Sequence, residues 1–337
     1  MRALVLTAPG EAGVREVADP VPAPGEVVVD VERAGVCGTD VELFTGELSY
    51  VQTGITTYPI RPGHEWCGTV SALGPGVDAA WLGRRVTGDT MIGCGRCHRC
   101  RTSRHHVCAA RDEVGIRGAI PGALAERLAV PARTLHPLPP PLDPAAGALV
   151  EPGGNALRCA DATAVAPGER LLVLGTGTIG LLTALFARVR GAEVHLLGRD
   201  EPQLNLARDL GFAGVWTRPD LPGLPWDAVV DATNDPTSPA LALQLVEPGR
   251  RIVYIGLSGV PSPVDTREAV LKDVTAVGIL GASAGLAGAI AAYADGSVDP
   301  RPLVGATIGL DEVAAALAGH RPAAAGQGPK LLVDPHR

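Results

Sequence analysis

The segment Arg170–Leu174 runs directly into Gly175-Thr176-Gly177-Thr178-Ile179-Gly180 and then into the apolar stretch Leu181-Leu182-Thr183-Ala184-Leu185-Phe186. A G-x-G-x-x-G motif is weak by itself and specific when it joins a strand to a helix. Its glycines permit a tight turn and let a pyrophosphate approach the helix N-terminus, where free N–H groups and the helix dipole favour an anion. A dinucleotide is therefore the expected ligand of Gly175, Gly177, Thr178, Ile179 and Gly180. The surrounding pattern agrees. Further strand candidates at Glu193–Leu197, Gly214–Thr217, Ala228–Asp231, Arg251–Ile255 and Thr275–Leu280 are spaced by helical stretches, which predicts an α/β domain with a doubly wound parallel sheet. At the end of the second of these strands NAD-binding proteins usually place an acid for the ribose hydroxyls. Here Gly198 stands there, followed by Arg199, and a guanidinium without a carboxylate suits a 2′-phosphate. NADP is the expected cofactor and NAD the alternative. Asp200 reads with Glu201-Pro202 as the start of the next helix, and His195 as a packed histidine.

A chain of 337 residues exceeds the usual single-domain size of about 100–200 residues, so two domains are expected. The first 35 residues alternate between strand-like runs and Pro/Gly turns, a pattern that continues to about residue 136 and predicts a β-rich domain. A Pro-rich boundary, His136–Pro141, precedes the dinucleotide region, and Pro329–Val333 reads as a final strand able to rejoin the first domain. No apolar run suits a signal peptide or approaches the roughly 18 residues of a membrane span, so a cytoplasmic protein is expected. Net charge −7 argues against nucleic-acid and anionic-membrane partners. Of 29 basic residues only Lys272 and Lys330 are lysines, which reads as coding bias with no mechanistic weight.

Four of the seven cysteines, Cys94, Cys97, Cys100 and Cys108, form C-x2-C-x2-C-x7-C. Four thiolates around one Zn²⁺ close a tetrahedron and leave no position for water or substrate, so this site is expected to staple a loop rather than do chemistry. The arginines between the cysteines offset the charge of the thiolates. An open site is expected from three separated pieces: Cys37, His64-Glu65 and Glu151. A thiolate, an imidazole and one carboxylate give a neutral set around Zn²⁺ with room for an exchangeable ligand. A second carboxylate would make the centre −1, so Glu65 and Glu151 are expected to share or exchange the ligand role. Thr39-Asp40-Val41-Glu42 has two readings. It fits an S/T-x-x-E capping box, or else places the Thr39 hydroxyl and Glu42 where they pass a proton or reach the metal shell.

An open zinc, a closed four-cysteine zinc and a dinucleotide loop, in that order, resemble the zinc-dependent medium-chain alcohol dehydrogenases over nearly the whole chain. Gly63-His64-Glu65-x2-Gly68-x5-Gly74-x2-Val77 is similar to the family's zinc signature, and Glu151-Pro152 resembles its sorbitol, threonine and glucose dehydrogenase branch. Glu42 stands where many polyol and threonine enzymes have histidine. The resemblance implies a GroES-like catalytic domain of residues 1–150 and 286–337, interrupted by a Rossmann domain of 151–285, with the active site between them. It also implies two Zn²⁺ per chain, a homodimer or homotetramer, and hydride transfer between NADP(H) and a secondary alcohol or ketone of a polyol, sugar or cyclitol. The polar run Ser49, Tyr50, Gln52, Thr53, Thr56, Thr57, Tyr58, with Asn155, suggests a hydroxyl-rich substrate. Rival readings are a zinc-free alkene or quinone reductase of the same fold, and a non-catalytic nucleotide-sensing or nucleic-acid-binding zinc protein.

Overall fold

The computed structural model describes residues 1–199 and 201–337, so Asp200 lies outside the described residues. The β-rich part contains strands β1 (Arg2–Ala8), β2 (Glu11–Glu16), β3 (Glu26–Val36), β4 (Glu65–Leu73), β5 (Arg85–Gly88), β6 (Met91–Ile92), β7 (Asp112–Glu113), β8 (Arg127–Pro131) and β9 (Leu135–Pro137). The next six are β10 (Arg170–Leu174), β11 (Glu193–Leu197), β12 (Gly214–Trp216), β13 (Trp226–Asp231), β14 (Val246–Tyr254) and β15 (Thr275–Gly278). Two more, β16 (Val304–Gly309) and β17 (Lys330–Asp334), close the chain.

The middle six strands form one parallel sheet in the order β12-β11-β10-β13-β14-β15. Helices cover both of its faces, which explains why Leu171, Leu172, Val173, Ala228, Val229 and Val230 are all fully buried without alternation. The chain proceeds from β10 outward through β11 and β12, then crosses back to β13. This places a topological switch point at the C-terminal ends of β10 and β13, where such sheets bind their ligands.

The other large sheet runs β16-β17-β3-β4-β5-β9, with β8 paired to β3. Its core gathers Val27, Val29, Val31, Trp66, Val70, Val86, Leu128 and Val130. The final strand joins this sheet and does so in its interior. β17 runs parallel to β16 and antiparallel to β3, with Leu331 opposite Val36 and Val333 opposite Ala34. The helix Val150–Thr163 follows the first large segment and packs with the helices Thr178–Val189 and Leu286–Ala294 on the parallel sheet.

Because Leu332 and Val333 are fully buried, each contributes about 1.5–3 kcal/mol of burial, and their strand supplies hydrogen bonds to two neighbours. That is a large share of a typical total of about 5–15 kcal/mol. A chain ending at Gly328 should therefore lose its cooperative thermal transition, measured by circular dichroism. A truncated chain melting cooperatively close to the full-length Tm would contradict this.

Candidate active site

β3 ends at Val36 and the chain turns into the helix Gly38–Thr45. Cys37 is the N-cap residue, with extended φ −107° and ψ 161°, and its N–H donates to Asp40 Oδ2 at 2.9 Å. The cap is thus built from Cys37 and Asp40, two residues upstream of the Thr39/Glu42 box that the sequence pattern suggested. Thr39 and Glu42 lie inside the helix, half-buried, and their side chains are not used in the cap. Burial, with Glu47 nearby, raises the Glu42 pKa above its ordinary value.

β4 pairs antiparallel with β3 so that Glu65 faces Gly35. The register carries His64 and Glu65 alongside Cys37. One ligand atom from each of Cys37, His64 and Glu65 lies within 4.8 Å of the others. Gly35 is needed here, because a Cβ at that position would lie 2.0 Å from Glu65 Oε2. Asp40 is fully buried; it also accepts from Gly63 N–H at 3.1 Å, and its Oδ1 stands 3.7 Å from His64 Nδ1. His64 Nδ1 is buried and has no hydrogen-bond partner. Burial opposes charging of this imidazole, but Asp40, Cys37 and Glu151 outweigh it and raise the His64 pKa well above normal. Negative groups that pull this strongly on a proton favour any cation placed among them.

Lys330 is the residue that sequence reasoning passed over. It is buried, and its Nζ donates to both Glu65 oxygens (2.7 and 2.6 Å) and to Val36 O (3.0 Å). The one available signal was scarcity: in a chain that almost always uses arginine, a lysine marks a place where a compact ammonium fits and a guanidinium does not. The other lysine supports this reading, since Lys272 Nζ donates to the carbonyls of Leu243, Gln244 and Val246 where a helix ends. The lysines therefore carry structural weight, contrary to the coding-bias expectation.

Lys330 also changes the charge argument. Leaving Asp40 aside, Zn²⁺ with Cys37 thiolate, Glu65 carboxylate and Lys330 would sum to +1, and an ionised Glu151 would return it to zero. Two glutamates no longer make the centre −1. Glu151 is 5% exposed and stands outside the close group of three. It accepts from Asn155 Nδ2 at 3.0 Å, and burial pushes its pKa up to about 7 although His64 draws it down.

In the four-cysteine lobe all sulfurs lie within 4.8 Å of one another, with Cys94–Cys100, Cys97–Cys100 and Cys97–Cys108 at 3.9, 3.5 and 3.7 Å. Four sulfurs at Zn–S lengths of about 2.3 Å around a tetrahedron stand about 3.8 Å apart, so the lobe has the dimensions of a closed zinc site. The N–H groups of Arg96 and Cys97 lower the Cys94 thiol to about 6. Arg99 braces the lobe through Val107 O at 2.8 Å.

At the glycine loop, Gly177 caps the helix Thr178–Val189 without any side-chain bond and has open space around it, leaving the first-turn N–H groups of Thr178 and Ile179 available to an anion. Gly180 packs against Gly175 O so closely that a Cβ would lie 2.0 Å away. Gly198 donates its N–H to Trp216 O at 3.0 Å. A side chain there would meet Thr176 Oγ1 at 2.7 Å, so its absence is steric as well as electrostatic. Arg199 is exposed at the strand end. His195 sits between β10 and β12, with Trp216 Nε1 donating to its Nδ1 at 3.2 Å.

In the polar run before His64, four of the hydroxyls are paired within the protein. Tyr50 OH donates to Glu113, Thr53 Oγ1 to Ser49 O, Thr56 Oγ1 to Ile116 O and Tyr58 OH to Leu43 O. Only the Thr53 bond lies within the segment; Tyr50 and Thr56 tie it to the stretch 113–116 and Tyr58 ties it to Leu43, so these four hydroxyls already have partners.

Residues 23–140 match the alcohol dehydrogenase GroES-like domain and residues 178–295 the zinc-binding dehydrogenase family. The chain is 33% identical over 293 residues to a protein named L-threonine 3-dehydrogenase from Saccharopolyspora erythraea, covering 83% of this chain and 84% of that one. A zinc-binding dehydrogenase structure from Sinorhizobium meliloti 1021 bound to NADP superposes with TM-score 0.89 at 30% identity, covering 99% of each chain. An alcohol dehydrogenase from Escherichia coli CFT073 complexed with NADH superposes with TM-score 0.89 at 25% identity, again over 99% of each chain.

Zinc content and stability separate the roles of these groups. Cys100→Ser should lose about one zinc per chain and destabilise the fold, because metal binding and folding are coupled in such a lobe. Cys37→Ser should lose about one zinc with a smaller fall in Tm than Cys100→Ser, no more than the stabilisation that the bound ion supplied; the opposite order would overturn the assignment. Lys330→Met leaves a buried carboxylate whose counter-ion is gone, a loss of about 3–5 kcal/mol in metal-free protein. A bound cation restores most of it, so the gap in Tm between zinc-loaded and chelator-treated protein should widen in this variant. An unchanged gap would show that Glu65 does not face the metal.

Proposed function

Because the chain belongs to the zinc-binding alcohol dehydrogenase family, we propose that it is a zinc-dependent oxidoreductase that passes hydride between NADP(H) and a secondary alcohol or ketone, of the polyol, sugar or cyclitol class. The observation that carries this reading is the close group Cys37, His64 and Glu65 at one end of β3, together with a strand–glycine–helix turn at the switch point of a parallel sheet. When bound, zinc supplies a Lewis acid that eases loss of the alcohol proton, and the dinucleotide supplies the hydride acceptor. Cys37, His64 and Glu65 would hold the metal, with the Asp40 carboxylate beside His64 and Lys330 orienting Glu65. Glu151, with a pKa near neutrality, is suited to balance charge or accept a proton beside the group. Thr39 and Glu42, whose side chains take no part in the helix cap, are candidates to carry that proton outward. Gly175, Gly177, Thr178, Ile179 and Gly180 would cradle the pyrophosphate.

The choice of NADP is supported by Gly198 and Arg199 and by a second cation that sequence reasoning missed. Arg199 and Arg218 follow the paired strands β11 and β12 by two residues each, and both add to the pull of the Thr237 N–H that shifts Asp235 down, so that carboxylate already takes part of their charge. We assign residues 1–150 and 286–337 to the catalytic domain and 151–285 to the dinucleotide domain, and expect a cytoplasmic homodimer or homotetramer. Support for self-association comes from β15, an edge strand, and from Val270 and Leu271 beside it, 77% and 86% exposed. Among the described residues no helix is long and apolar enough to cross a membrane.

The test is reduction of NADP and of NAD, followed at 340 nm, with polyols, sugars, cyclitols, simple primary alcohols and L-threonine. The reading expects about two zinc per chain, turnover of a secondary alcohol, and kcat/KM favouring NADP. Arg199→Leu should raise the KM for NADP about ten-fold or more with little effect on that for NAD, because only the 2′ position differs. L-threonine turning over best would favour a hydroxy amino acid as substrate over a polyol, sugar or cyclitol, as the name of the 33% identical relative suggests. Turnover with one zinc or none would sink the metal mechanism.

A further inference from the structure

Asp89 is 5% exposed and lies between β5 and β6, just ahead of the four-cysteine lobe. Its N–H donates to Thr134 O at 2.9 Å, which anchors the backbone. Its carboxylate accepts from three separate places. His105 Nε2, inside the lobe, lies 2.7 Å from Oδ2; Ser283 Oγ, on the segment that leaves β15, lies 2.9 Å from Oδ1; and the Met91 N–H lies 2.9 Å from Oδ1. The next residue, Thr90, donates its hydroxyl to His64 O at 3.2 Å.

The segment 279–285 leaves β15 at the C-terminal edge of the parallel sheet, the edge on which ligands of these sheets rest. Besides Asp89 it is held by Arg158 Nη1, which donates to Leu280 O at 2.7 Å and to Gly281 O. Met91 packs against Gly281 so closely that a Cβ there would stand 2.9 Å from Met91 Cε. A buried ionised carboxylate is tolerated only while its donors are present. At Asp89 the two side-chain donors come from different parts of the molecule, one from the lobe and one from the loop, so displacing either leaves the carboxylate undersatisfied.

We propose that Asp89 is a positioning residue that ties the four-cysteine lobe to the loop leaving β15, so that the lobe determines where this loop stands beside the dinucleotide. The four-cysteine site then acts on cofactor binding through Asp89, beyond stapling its own loop. This rests on the dinucleotide reading above. A role confined to stability would leave the affinity of the folded protein for dinucleotide unchanged.

The experiment is fluorescence titration of zinc-loaded protein with NADPH, and with NADH in parallel, for Ser283→Ala, His105→Ala, their double variant and Ser283→Thr. Removing one such hydrogen bond should raise the Kd about three- to ten-fold in each single variant. The double variant should be no weaker than the weaker single, because both act through one carboxylate. Ser283→Thr, which keeps the hydroxyl, should restore wild-type affinity, and that comparison decides the matter if His105→Ala does not fold. Kd values within about two-fold of wild type in the singles, or effects that multiply in the double, overturn the proposal. Wild-type protein that binds neither dinucleotide removes the dinucleotide reading and this inference with it, whereas binding insensitive to Ser283→Ala removes only this inference.

Discussion

The buried ion pair of Glu65 and Lys330 is the contact on which the active centre depends. Both side chains are almost completely enclosed, and neither charge is tolerable there alone, since removing one partner of such a pair costs about 3–5 kcal/mol. Glu65 opens β4 and Lys330 opens β17, strands that flank β3 on its two sides. The pair therefore locks the last strand of the chain onto the end of β3 from which Cys37 emerges. The Glu65 carboxylate is held beside Cys37 and His64 only when the chain has folded to within a few residues of its C-terminus.

The two cysteine-containing groups that could hold a metal ion are assembled in two ways. Cys94, Cys97, Cys100 and Cys108 lie on one short segment, and their sulfurs converge with almost no help from the sheets. Cys37, His64 and Glu65 converge only because β3 and β4 pair in one register, with Gly35 leaving space for the Glu65 carboxylate. A slip of one residue would send Glu65 to the opposite face. Asp40 adds rigidity by accepting from both Cys37 and Gly63, joining the two ligand-bearing turns through one buried carboxylate. Asp89 plays a comparable part further out, where the same economy of one carboxylate serving several elements links the lobe, the strand next to His64 and the loop from the parallel sheet.

Local chemistry made much of this legible in the order of residues. The strand–glycine–helix turn, the alternation of strands and helices and the C-x2-C-x2-C-x7-C spacing are each written within a short stretch of chain and imply their structure through backbone sterics or ligand geometry, whereas Gly63-His64-Glu65 was legible only through its family resemblance. The four-cysteine lobe and the parallel sheet were readable for that reason. What tertiary structure decided are the pairings between distant residues. Lys330 reaches Glu65 across 265 positions and Ser283 reaches Asp89 across 194. The hydroxyls of Tyr50 and Thr56 turn inward to Glu113 and Ile116, and the helix cap shifts from Thr39 to Cys37 because Asp40 is drawn under the His64 turn. Apart from the Cys37–Asp40 cap, none of these is written in neighbouring residues, because a buried charge or hydroxyl takes whichever partner the packed chain brings within reach.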